Sequence, residues 1–186
     1  HIKFELSMKY FVVVGGTRFQ SELIKAAQKK GFIVICVDKN PNSFCFDMLN
    51  IIKIEKDILD HKGVIEALSG YNIVGAETAQ SDIGVPLVSR IKDYYGLSVG
   101  RTRAGDLFSN KYNFRKYLYD KKLCAYKPML IDHNSRLENI YLEFPVALKP
   151  VDSSGSRGVF KCCNLIDLNE KIPITLGFSR TGCAIL

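Results

Sequence analysis

No block of five or six like charges interrupts these 186 residues, although 26 Lys and Arg against 19 Asp and Glu leave a net charge of +7. Scattered positive charge excludes a nucleic-acid arm and fits a protein that binds small anions such as phosphates. No apolar run is long enough to span a bilayer and no signal-peptide pattern is visible, so no membrane partner is expected and the setting reads as cytoplasmic. There is no Cys-x-x-Cys spacing among the six cysteines. Cys36 lies in an apolar, strand-like run, and adjacent Cys162 and Cys163 suit the two faces of a strand, so all six read as reduced thiols. His61 and His133 stand in polar stretches without a partner at ligand spacing; they read as surface residues, and no metal site is assigned. Internal repeats and low-complexity tracts are absent.

What is present is a 47% hydrophobic chain, enough for one sizeable core and a second small one. KYFVVVGG reads as a buried strand running into a tight turn, and SELIKAAQKKG as a helix with Leu23, Ala26 and Ala27 on one face and Gly31 just past its end. FIVICVD is a second buried strand, followed by the turn NPNS. LNIIKIE, DHKGVIEAL, YNIVGAE and SDIGVPLVSRIKDYYG continue as strand, helix, strand and helix. Strand and helix alternate at the spacing of βαβ units, which predicts a parallel, doubly wound α/β domain. After GLSVG the rhythm changes. SNKYNFRKYLYDKK is predicted as a helix capped by Ser109 or Asn110, with Phe114 and Leu118 inward. AYKPMLI and FPVALKPV read as strands, GVFKCC as the antiparallel mate of the latter, and LIDLNEKIPITLGF as a helix that Pro173 should kink or end. GCAIL reads as a strand reached in mid-fold. The segments are thus 1–7, expected to be an appended stretch ending a purification tag ahead of a natural start at Met8, then 8–107 and 108–186.

Two glycine loops carry the chemistry. VVVGGTRFQ places a glycine turn between a strand and a helix N-terminus, where free amides and the helix dipole favour anions. Asp38, ending the second strand, sits where a ribose-binding acid would sit. The dinucleotide fingerprint nevertheless fails: Gly15 and Gly16 are adjacent, and Gln20 stands where a third glycine should pack. In FPVALKPVDSSGSRGV, an inward lysine on a strand precedes a hydroxyl- and glycine-rich turn. Such a hairpin can lay backbone amides over a polyphosphate while the lysine supplies charge at closer range.

NKYNFRKYL, YKPMLI and FPVALKPVDSSGSRGV together resemble the opening of an ATP-grasp domain. VVVGGTRFQSELIKAAQKKGFIVICVDKNPNS and AETAQSDIGVPLVSRI resemble the domain that precedes it in carboxylate–amine ligases such as the carbamoyl-phosphate synthase large chain, biotin carboxylase and the purine-pathway ligases. The resemblance runs from Met8 to about Leu186. It implies a pre-ATP-grasp α/β domain followed by the start of an ATP-grasp α+β module. It also implies ATP and Mg²⁺ as cofactors and small-molecule carboxylate and amine substrates, and leaves a homodimer open. By resemblance, Lys111, Lys149 and the loop Ser153, Ser154, Gly155, Ser156, Arg157 and Gly158 meet the nucleotide phosphates. Gly16, Thr17, Arg18, Gln20, Glu77, Ser81 and Asp82 line the acceptor pocket. Plainer roles stand beside these: Ser81 and Asp82 as helix caps, Arg18 as a surface residue, and Arg101, Arg103 and Lys116 as solvated helix faces. The metal ligands and catalytic arginine of the family follow a strand like GCAIL, so the 186 residues are expected to be an N-terminal fragment that does not turn over alone. An NAD-dependent oxidoreductase and a non-catalytic nucleotide-binding module remain as alternatives.

Overall fold

The computed structural model describes residues 8–98, 101–137 and 141–186; the stretch 1–7 expected to be a tag remainder lies outside them. The chain forms two compact units, one through Asp106 and one from Leu107 to Leu186.

The first unit contains four strands, β1 Tyr10–Val14, β2 Ile33–Asp38, β3 Ile51–Glu55 and β4 Ile73–Glu77, in a parallel sheet of order β3-β2-β1-β4. Its helices are α1 Ser21–Lys29, α2 His61–Ala67, α3 Val85–Tyr94 and α4 Arg101–Ser109, the last running past the unit's end. Both sheet faces are covered, which explains the unbroken apolar run of β1. Val12 and Val14 pack with Ile35, Val37, Leu68 and Leu87 on the α2–α3 side. Val13 packs with Val34, Cys36, Ile24 and Phe46 on the α1 side. The doubly wound arrangement expected from the sequence is therefore observed. The inward face of α1 differs from expectation: Ile24 and Ala27 are buried, Leu23 is half-buried and Ala26 is exposed. A single 3₁₀ turn, Arg18–Gln20, precedes α1 and sets its rotation on the sheet. The α3 segment likewise starts late, because a 3₁₀ turn takes Asp82–Gly84.

In the second unit β5 Leu130–Ile131, β6 Val146–Pro150, β7 Phe160–Cys162 and β8 Ala184–Ile185 form an antiparallel sheet of order β5-β8-β6-β7. Helices α5 Lys111–Asp120 and α6 Leu165–Gly177 accompany it. One core joins Ile131, Leu148, Cys162 and Ala184 to Leu168 and Leu176 of α6. The hairpin β6–β7 is the antiparallel pair expected across the second glycine loop. Three expectations are corrected. The α6 helix runs through Pro173 without ending there. Pro173 is exposed, so water can satisfy the carbonyl one turn earlier while Thr175 and Leu176 hold the other side in the core. The strand predicted over AYKPMLI shrinks to Leu130–Ile131. Phe114 and Leu118 are only half-buried, and α5 buries no residue fully. Asn110, one of the two expected caps, accepts a hydrogen bond from Asn113 N at 3.0 Å.

Candidate functional site

The first glycine loop is braced from within. Gly16 N donates to the Asp38 carboxylate at 2.6 Å, and Asn40 N donates to its other oxygen at 2.9 Å. Asp38 is thus the acid that ties the turn, and the amide a pyrophosphate would need is already taken. Gly16 O accepts from Cys45 N at 2.8 Å. A Cβ at Gly16 would run into Ser43 Oγ, a buried hydroxyl that has no hydrogen-bond partner among the described residues. Gln20 is 1% exposed. Its amide donates to Ala79 O at 2.9 Å and its oxygen accepts from Thr17 Oγ1, so the side chain links the loop to the end of β4 instead of facing solvent. With Gln20 filling the space a third glycine would leave open, the NAD reading is not favoured. Thr17 and Arg18 are exposed, and the Arg18 guanidinium stands 5.9 Å from the Phe44 ring centroid.

Glu77 is half-buried and already paired, its carboxylate 2.8 Å from Lys92 Nζ. Ser81 makes no side-chain cap bond to the turn that follows it, and Asp82 is exposed. Beneath the loop lie two thiols. Burial, then the neighbouring Cys45 and Asp38, push the Cys36 thiol up to about 12, and burial raises Cys45 as well. These are inert core sulfurs. His61, expected at the surface, is half-buried with an unpartnered Nε2, and burial lowers its pKa. His133 is exposed.

In the second unit the strand alternation of β6 sorts the lysine from the core. Leu148 is fully buried against α6, so Lys149 projects from the opposite face, half-buried. It is not inward in the sense the sequence suggested: it lines a cavity of about 770 Å³ with Arg115, Tyr126, Lys127 and Ile185. The Ser153–Gly158 loop follows β6 after Val151 and Asp152. Ser153 is buried, and its carbonyl accepts from Lys111 Nζ at the start of α5. Ser154 to Arg157 are exposed, with Gly155 at φ +69° and Ser156 at φ +56°. Gly158 closes the loop at φ +70°, its carbonyl accepting from Thr175 Oγ1 at 3.1 Å. The loop is therefore anchored at both ends and free at its tip. Lys111 and the loop meet directly, and Lys149 stands four residues before the loop on the cavity side.

Sequence reasoning passed over Asp152 and Ser43. The Asp152 carboxylate, 7% exposed, accepts from Ser179 Oγ, Arg180 N and Thr181 N at 2.8, 3.1 and 3.1 Å. An acid directly after a buried valine was a usable signal for it; nothing in NPNS marked Ser43 out.

No family model and no curated protein matches the chain. Solved structures do: the chain has the fold of the N-terminal part of ATP-grasp enzymes, as the sequence resemblance implied. Among them are phosphoribosylglycinamide synthetase from Anaerococcus prevotii, with 21% identity, a TM-score of 0.64, and coverage of 95% of this chain and 44% of that one. L-amino acid ligase from Bacillus licheniformis matches at 14% identity with a TM-score of 0.70, over 95% and 43% of the two chains. The biotin carboxylase domain of Hydrogenobacter thermophilus 2-oxoglutarate carboxylase, solved as a dimer with MgADP and bicarbonate, gives 13% identity, a TM-score of 0.66 and 96% and 44% coverage. The chain spans less than half the length of these structures. No helix among the described residues is long and apolar enough to cross a membrane.

Proposed function

We propose that this chain belongs to an ATP-dependent carboxylate–amine ligase. The reaction is activation of a carboxylate or bicarbonate as an acyl phosphate, followed by attack of an amine or similar nucleophile. The observation that carries the reading is the meeting of Lys111 Nζ with the first carbonyl of a glycine- and serine-rich loop, which follows four residues after the cavity lysine Lys149. Two ammonium groups and a strip of free amides suit a polyphosphate, and positioning with charge neutralisation is most of what a protein contributes to phosphoryl transfer. In this reading Lys111, Lys149 and Ser153 to Gly158 hold the phosphates. The sheet edge of the first unit takes the acceptor through Thr17, Arg18, Ser81 and Asp82. Gly16 and Gln20 shape the turn, and Glu77 acts through its pair with Lys92. Mg²⁺ supplies charge neutralisation at the phosphates when bound; among the described residues no cluster of three His, Cys, Asp or Glu could hold it, so no Mg²⁺ ligand is assigned to this chain. Six free thiols fit a cytoplasmic setting.

Titration of the full-length protein with MgATP and with NAD tests the reading. ATP should bind and NAD should not. Lys149→Ala should weaken ATP by roughly 1.5–3 kcal/mol, a factor of about 10 to 150, with the fold intact. Tight NAD binding that Gly16→Val abolishes, with no ATP binding, would overturn it.

A further inference from the structure

Within three residues, Val151 to Ser153, the second unit ties together three separate stretches of chain. Val151 O accepts from Lys111 N at 2.8 Å, and Val151 N donates to Cys183 O at 3.1 Å. Ser153 O accepts from Lys111 Nζ. Between them, Asp152 turns its carboxylate onto the 179–181 turn. One oxygen accepts from Ser179 Oγ and Arg180 N, and the other from Thr181 N. The same Ser179 hydroxyl oxygen accepts from Cys183 N at 3.1 Å, one residue before β8. The Arg180 guanidinium lies 3.9 Å away, partly in solvent. A carboxylate this buried needs its oxygens satisfied, and three donors do that.

We propose that Asp152 is a positioning residue for nucleotide phosphate binding: it never touches the nucleotide, but fixes where the loop Ser153–Gly158 leaves β6 and hence how Lys111 and the loop amides meet a phosphate. The physical argument is one of adjacency. The loop tip, Ser154 to Arg157, is exposed, and within it Arg157 Nε donates to Ser154 O at 3.3 Å. Its direction is therefore set at its two anchors. At the far anchor Gly158 is held by Thr175. At the near anchor the backbone of Ser153 follows directly from Asp152, so a shift of Asp152 on the 179–181 turn reaches the carbonyl that holds Lys111. An Asn at 152 keeps the shape but turns an NH₂ group toward a backbone N–H, a donor facing a donor. One side of the clamp then opens while the buried packing stays.

This inference rests on the nucleotide reading above, and the test separates the two. ATP, inorganic triphosphate and adenosine are titrated against the full-length wild type, Asp152→Asn and Ser179→Ala. With Asp152→Asn, affinity for ATP and triphosphate should fall roughly tenfold or more, while adenosine affinity stays within about twofold. Ser179→Ala removes one of the three donors and should give a smaller loss with the same pattern, which keeps the test informative if Asp152→Asn folds poorly. A merely structural role would lower thermal stability and weaken all three ligands together, or weaken none; either outcome overturns the proposal. If the wild type binds neither ATP nor triphosphate, the nucleotide reading fails and this inference falls with it.

Discussion

Gly158→Ala offers a perturbation whose cost can be worked from the geometry. Gly158 sits at φ +70°, a region that costs an L-residue roughly 1–2 kcal/mol. An added Cβ would also lie 2.8, 2.9 and 3.0 Å from Cδ2, Cβ and Cγ of Phe178, closer than carbon atoms approach. Overpacking of this kind costs about 1–3 kcal/mol; the half-exposed ring can swing outward, but the Phe178 Cβ is fixed to the backbone, so part of the contact stays. The sum is about 2–5 kcal/mol. Gly155 supplies the internal control: its φ is +69°, but nothing lies within 4 Å of its would-be Cβ. Gly155→Ala should therefore lose only the backbone part, about 1–2 kcal/mol. Urea unfolding followed by far-ultraviolet circular dichroism measures both, and Phe178→Ala in each background isolates the share of the ring atoms. Equal destabilisation by the two glycine variants, within about 0.5 kcal/mol, would refute the claim that Phe178 crowds Gly158.

Hydrogen exchange without nucleotide should be fastest at Ser154 to Arg157, because these residues are exposed while β6 is paired on both sides, and nucleotide should slow it. Protection of the tip equal to that of β6 in the ligand-free protein would count against an open loop. Exposed Cys163 should be alkylated in the native protein at pH 8, whereas Cys36 should react only on unfolding. It is buried, and a thiol at about 12 leaves about one part in ten thousand as thiolate at that pH. Labelling of Cys36 at the rate of Cys163 would show that the first loop opens readily.

The periodic parts of the fold were readable from the sequence because burial imposes a period. The unbroken apolar runs of β1 and β2 required cover on both faces, and the switch after residue 100 from alternating strand and helix to a hairpin marked a second kind of sheet. The rotation of α1 was not readable, since it depends on a three-residue 3₁₀ turn that leaves no periodic trace. The phosphate side of the candidate site was visible as Lys111, Lys149 and the Ser/Gly loop because charge and glycine are conspicuous in a hydrophobic context. Its supports were not. Asp152 and Gln20 act through bonds to residues 27 to 59 positions away, and such pairings depend on where the chain returns. Gln20 was noticed for what it obstructs, while its bond to Ala79 O needed the fold.

The middle of β1 acts as a partition wall. Val13 belongs to the hydrophobic cluster on the α1 side, and its neighbours Val12 and Val14 to the cluster on the α2–α3 side. Among the described residues, β1, β2 and β3 contribute to both. Sequence drift in α1 and the segment around Phe46 can therefore be absorbed by one compartment without repacking the other. The two faces of this unit are in that sense separately editable, and a chimera exchanging residues 21–29 for another chain's helix would disturb only the chamber that Val13 closes.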